Sequence, residues 1–129
     1  MKNYYRFFLL LGSFFGFLGV ALGAFGAHGL KSILSSEMLV VFETGVRYQM
    51  YHAFALLLTA ILHKQFPHRF KGIAGWFFTV GIIVFSGSLY ALAVTEARSL
   101  GMITPLGGVC FLLGWVFLIL SALKIKKES

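Results

Sequence analysis

The chain has no aspartate and only four glutamates. Intramembrane proteolysis, ion pumping and proton-coupled export usually depend on carboxylates deep in a membrane. None of the four glutamates sits in the interior of a long apolar run. Small four-helix exporters are driven by an acidic residue in their first span, and the first apolar run here carries no charge. A single cysteine, Cys110, excludes an intrachain disulfide. It lies within an apolar run, where a thiol acts as a small hydrophobe. No Gly-x-Ser-x-Gly, HExxH, CxxC or P-loop pattern occurs. The expectation is therefore a protein without a catalytic constellation, a metal or a cofactor. Charged residues make up 12% of the chain, against roughly 25% in ordinary soluble domains.

What fills the sequence instead is apolar: 59% hydrophobic and 17% aromatic over 129 residues. A chain this short has too little interior to hide that much apolar surface from water. The net charge of +7 could suggest nucleic acid. The basic residues, however, stand in small groups at the ends of apolar runs, which is the pattern of membrane-flanking charge. The partner implied is the lipid bilayer, with no nucleic acid.

A spanning helix needs about 20 mostly apolar residues. Three charge-free runs meet this: 21 residues between Arg6 and His28, 24 between Lys71 and Glu96, and 25 between Arg98 and Lys124. At 1.5 Å per residue each covers roughly 30–37 Å. A fourth run from Val46 to Leu62 is interrupted by Arg47, Gln49 and His52. The expected fold class is an all-α integral membrane protein, one domain over 1–129, with four transmembrane helices at about 7–27, 46–63, 72–94 and 100–123. Ser35 or Ser36 reads as an N-cap with Glu37 in the first turn. A short interfacial helix between the first and second spans would then pass through Thr44-Gly45 into span two. One unbroken helix is the alternative. Met1–Arg6, the following apolar stretch and the small residues 23–27 also resemble a secretory signal with a cleavage site, but the apolar stretch exceeds a typical signal core.

Orientation follows from Lys and Arg. Eight of the eleven lie on one side: Lys2, Arg6, Lys64, Arg69, Lys71, Lys124, Lys126 and Lys127. Lys31, Arg47 and Arg98 share the other with Glu37, Glu43 and Glu96. The positive-inside rule puts both termini in the cytoplasm. Gly12, Gly16, Gly19, Gly23 and Gly26 repeat at steps of four and three, on one face of the first helix. Such a face admits a close neighbouring backbone. It serves either tight packing within the bundle or a homo-oligomer seam. Trp76 and Tyr4-Tyr5 read as interfacial anchors and Trp115 as a filler; His63 and His68 read as facing headgroups.

With this topology the intramembrane polar groups gather in the outer half, while the inner halves read as dry. His28 ends span one. Glu43, Thr44, Arg47, Tyr48, Gln49 and His52 open span two. Ser86, Ser88 and Tyr90 lie in span three, and Thr104 with Pro105 in span four. Glu43, Arg47 and Tyr51 are four apart, as are Thr44, Tyr48 and His52 on the next stripe. Residues at this step are helical neighbours, so Glu43 can pair with Arg47 and Tyr48 can touch His52. Polar groups in lipid turn toward the bundle interior. The candidate binding set is His28, Glu43, Arg47, Tyr48, His52, Ser86, Tyr90 and Thr104. Its plain reading is a hydrogen-bonded clasp fixing helix register. Its functional reading is a pocket for a lipid headgroup, a small molecule or a partner. Two histidines, His28 and His52, without a third ligand make a weak metal signature.

Four segments, Gly23-Ala-Phe-Gly-Ala-His-Gly-Leu30, Thr44-Gly-Val-Arg-Tyr-Gln-Met-Tyr-His-Ala53, Phe85-Ser-Gly-Ser-Leu-Tyr90 and Gly101-Met-Ile-Thr-Pro-Leu-Gly-Gly108, resemble the transmembrane protein 256 family. Its bacterial members are the domain-of-unknown-function 423 proteins. The resemblance covers nearly the whole chain. It implies a small multi-pass protein of the bacterial cytoplasmic membrane, or of mitochondrial membranes in eukaryotic members, and implies no activity. The expected function is that of a non-enzymatic membrane component with an outer polar cluster. The alternative is a small oligomeric transporter or channel subunit, which would need polar groups continuing to the cytoplasmic side.

Overall fold

Several helix ends fall where the sequence supplies a physical reason. In the computed structural model, which describes residues 4–126 (the side chain of Ala27 excepted), α1 spans Tyr5–Gly29. Lys2 and Lys127 lie outside the described residues. α2 spans Ser36–Gln65. Ser35 caps it, its hydroxyl accepting the Met38 amide at 3.1 Å, and Glu37 sits in the positive first turn. Pro67 follows two residues after its last turn, where a helix cannot continue.

α3 covers Arg69–Gly81, capped by His68, whose Nδ1 accepts the Phe70 amide at 3.1 Å. A π-helical turn, Ile82–Ser86, leads without a break into α4, Gly87–Thr95. α4 closes on Glu96, in the left-handed region at φ 55°, where a helix end commonly reverses. A 3₁₀ turn over Arg98–Met102 precedes α5, Thr104–Leu123, with Pro105 in its first turn, where its fixed φ fits and its missing N–H costs nothing.

The expected separate helix before span two is not present. α2 is one rod of 30 residues through Thr44-Gly45. Gly45 is not a break but a point of close approach. A Cβ there would stand 2.8 Å from the Tyr90 ring. The glycine admits an aromatic from α4 against the α2 backbone.

α2 is the central element. It packs against α1 on one side and against α3, the π turn and α4 on the other, and α5 closes over α3 and the π turn. The core runs through Phe8, Phe15, Leu56, Phe78, Ile82 and Phe111, with Ala53, Ala60 and Ala74 letting the helices close. Gly107 makes the closest approach to a neighbouring backbone. A Cβ on it would lie 2.4 Å from the Phe85 nitrogen, so α5 meets the π turn backbone to backbone. The glycine face of α1 is largely used within the chain. Gly12 meets Leu57, Gly19 meets Met50, Gly23 meets Val46 and Gly26 meets Phe42, while Gly16 faces open space.

The outer surface is strongly apolar. Phe17, Phe25, Leu112 and Ile119 are all exposed, far beyond the isolated apolar residues of a soluble surface. Three rods, Tyr5–Gly26, Arg69–Thr95 and Arg98–Leu123, are long and apolar enough to cross a membrane. α2 does not meet that measure, because polar side chains interrupt it.

Candidate functional site

The polar residues of α2 face three different surroundings. On the stripe toward α4, Ser86 donates to the Gly45 carbonyl at 2.7 Å, and the Tyr90 hydroxyl donates to Gln49 Oε1 at 2.6 Å. Both helices use the same four-residue step, 45 and 49 against 86 and 90, so the two bonds lock one register. Gln49 then donates through Nε2 to the Phe15 carbonyl of α1 at 2.8 Å. One buried amide therefore ties α1, α2 and α4 together.

On the stripe toward α5, His52 Nδ1 lies 2.8 Å from the Tyr48 carbonyl, and Trp115 Nε1 lies 3.1 Å from His52 Nε2. A carbonyl only accepts and an indole N–H only donates. The imidazole is therefore neutral, with its proton on Nδ1 and the Nε2 lone pair given to Trp115. Its ring stacks on Phe111 at 3.6 Å and 7°. Tyr48 is partly exposed; its ring reaches Phe85 at 4.9 Å and lies parallel to His52 at 6.3 Å. A separate junction joins α4 to α5. Ser88 donates to the Phe85 carbonyl, so Thr104 is the donor in the 2.6 Å Ser88–Thr104 bond.

The outermost stripe is not drawn inside. Glu43 and Arg47 are exposed. No ion pair joins them among the described residues, and Arg47 instead reaches Thr44 Oγ1 at 3.4 Å. They flank a groove of about 410 Å³ between α1 and α2, floored by Gly23, Phe42 and Val46. His28 is exposed at the end of α1 and does not meet His52. Gly26, two residues before it, packs on Phe42, ten residues from His52 along α2. Among the described residues no three metal-ligating side chains come together.

Of the eight candidates, the structure gathers Tyr48, His52, Ser86 and Tyr90 around α2 and places Thr104 at the neighbouring α4–α5 junction. Glu43, Arg47 and His28 stay outside. The candidate set leaves out Gln49, the hub, although it is counted among the outer polar groups, and Trp115, read as a filler, which is the donor to His52. An available signal was that a buried indole N–H needs an acceptor. Sequence reasoning also read the opposite end wrongly. His63 and Lys71 are buried there, at 3% and 2% exposure, where headgroup-facing or dry positions were expected. Charge at the edge of an apolar run does not reveal whether a neighbouring helix covers it.

The comparisons with known proteins point to a membrane protein. A family model described as "Protein of unknown function (DUF423)" matches residues 22–108. The chain is 46% identical over 122 residues to UPF0382 membrane protein YwdK of Bacillus subtilis, covering 91% of this chain and 96% of that one. It is 43% identical over 126 residues to a UPF0382 membrane protein of Haemophilus influenzae, covering 98% of each. It is 36% identical over 124 residues to UPF0382 inner membrane protein YgdD of Escherichia coli, covering 96% and 95%. No solved structure matches the chain. A family model over most of the length and these near full-length relatives place the chain in the DUF423 family of bacterial membrane proteins.

Proposed function

We propose that this protein is a non-enzymatic component of the bacterial inner membrane that crosses the bilayer four times with both termini in the cytoplasm. In this reading it holds a zwitterionic phospholipid headgroup at the outer ends of α1 and α2. α2 can be a spanning helix despite its polar residues, because Gln49, His52 and Thr59 are covered by protein and each is hydrogen-bonded. Its 30 residues extend roughly 45 Å, enough to cross. The lysine and arginine asymmetry favours the stated orientation, and the Escherichia coli relative's name supports the inner membrane.

One observation carries the binding reading. The clasp residues Gln49, His52, Ser86 and Tyr90 already have their hydrogen-bond partners within the bundle, whereas Glu43 and Arg47 are exposed, opposite in charge, unpaired with each other and set beside an apolar groove. The clasp is thus the scaffold, and the groove is the recognition surface. A guanidinium takes a phosphate in a charge-assisted hydrogen bond, a carboxylate takes an ammonium, and Phe42 and Val46 offer acyl-chain contact.

The test is native mass spectrometry of the chain released from nanodiscs containing phosphatidylethanolamine. A retained phosphatidylethanolamine is expected in the wild type and in Tyr90→Phe, and is expected to be lost in Arg47→Gln and Glu43→Gln. Equal retention in all four proteins would remove the groove from consideration.

A further inference from the structure

The opposite end of the bundle carries a second feature that the clasp and the groove do not use. Lys71, in the first turn of α3, is among the largest fully buried side chains in the molecule, at 2% exposure. Among the described residues no carboxylate, carbonyl or hydroxyl lies within hydrogen-bonding distance of its ammonium. The side chain is covered along its length while it lines a cavity, and there a countercharge for its ammonium is favourable.

Lys71 lines a cavity of about 370 Å³ between the end of α2, the start of α3 and the end of α5. His68, Lys124 and Lys126 line the same cavity, with Gln65 and Ser121. Glu37, Glu43 and Glu96 all lie at the far end of the bundle, since α2 begins and α4 ends there. The cavity therefore has three lysines and no described acid. It also faces the N-terminus of a 13-residue helix, whose dipole favours an anion. Desolvation, followed by the charges of Lys71, Arg69 and Lys124, holds the His68 imidazole below the ordinary histidine range.

We infer that this cavity binds a phosphate-bearing anion, with Lys71 as its buried contact and Lys124 and Lys126 closing over it. The bound anion supplies a countercharge that no described residue of the cavity provides. An anionic phospholipid headgroup and a free phosphate share this chemistry. Basic pockets between membrane helices are suited to such headgroups. The site stands apart from the Glu43–Arg47 groove and does not depend on that groove binding anything.

The full chain is placed in nanodiscs of phosphatidylcholine, alone or mixed with phosphatidylglycerol, and lipid retention is read by native mass spectrometry. Wild type is expected to retain one phosphatidylglycerol in preference to phosphatidylcholine. Lys71→Met, which keeps most of the volume and removes the charge, should weaken retention by about tenfold or more. Lys124→Gln should weaken it less, Lys71→Arg should restore it, and Arg98→Gln at the far end should leave it unchanged. In phosphatidylcholine discs, inorganic phosphate is compared with chloride at matched ionic strength by thermal unfolding. A phosphate-specific rise in Tm that Lys71→Met abolishes assigns the site to the free anion. Phosphatidylglycerol retention without that rise assigns it to the lipid. If wild type and Lys71→Met show neither preference, or show the same one, Lys71 merely lays its stem along the bundle with its ammonium in water, and the inference fails.

Discussion

Removing the Gln49–Tyr90 pair offers the sharpest test of the clasp. Tyr90→Phe deletes the hydroxyl that donates to Gln49 Oε1 at 2.6 Å and leaves that buried oxygen without a donor. Gln49→Leu deletes the acceptor and also the Nε2 bond to the Phe15 carbonyl at 2.8 Å. An orphaned buried partner costs about 1–3 kcal/mol in water-soluble proteins. Within membranes the measured couplings are smaller, averaging about 0.6 with a maximum near 1.7 kcal/mol. Each single change should therefore destabilise by about 1–2 kcal/mol. The double variant replaces both partners with apolar groups of similar shape and leaves no orphan. Its cost should be near that of one single change, giving a coupling of about −1 kcal/mol. The assay is reversible unfolding in mixed micelles with increasing denaturing detergent, followed by helical circular dichroism for all four proteins. Additive losses, with coupling within about 0.3 kcal/mol of zero, would refute the claim that these side chains form a mutually satisfied unit.

Four other outcomes follow from the same geometry. Gly107→Ala drives a methyl into the Phe85 backbone and should cost about 1–3 kcal/mol, whereas Gly16→Ala meets open space and should gain about 0.5–1 kcal/mol; the same unfolding assay compares them. Trp115→Phe takes from His52 Nε2 its one donor among the described residues, while the Tyr48 carbonyl still holds the proton on Nδ1, so nitrogen NMR should show the Nδ1–H tautomer kept and the Nε2 resonance moved to that of an acceptor without a donor. Glu96→Gly removes the left-handed strain at the end of α4 and should stabilise by about 0.5–1 kcal/mol, read as a later unfolding midpoint. The His68 imidazole is held below its ordinary value of 6.5 by desolvation, with Lys71, Arg69 and Lys124 adding to it. The unfolded chain therefore binds its proton first. The contribution of the neutral cap is full above pH 6.5 and is lost progressively as pH falls below it. Tm in phosphate-free phosphatidylcholine discs should drop on acidification, and His68→Asn, a cap that does not titrate, should flatten the drop.

Much of the architecture was legible because three rods consist of charge-free apolar runs, and length alone marks such runs. α2 was harder. Gln49 and His52 are covered by α1, α4 and α5, so they interrupt hydropathy without interrupting the helix. Gly45 misled for a related reason. A glycine in a helix can mark a break or a close approach, and only the ring of Tyr90 decides which. The i, i+4 rule found the stripe of Tyr48 and His52 correctly. It also offered a Glu43–Arg47 pair that the exposed side chains do not make. Trp115 escaped because its partner lies 63 residues away, beyond any local spacing rule. Lys71 escaped because burial depends on which helix ends converge, and flanking charge carries no record of that.

The π turn at Ile82–Ser86 has a consequence for how the third rod is keyed. A wide turn accommodates one extra residue, and one residue in a regular helix corresponds to about 100° of rotation. The rod is therefore two segments set out of phase on a single axis. The first segment presents Gly75 to Phe8 and Phe78 to Gly114, addressing α1 and α5; the second presents Tyr90 to Gly45, addressing α2. Deleting one residue from 82–86 would leave a straighter and more regular helix. It would also swing Tyr90 about a quarter turn off Gln49 and aim its hydroxyl at lipid. The irregular turn sets the angular offset that allows one rod to serve neighbours on different sides.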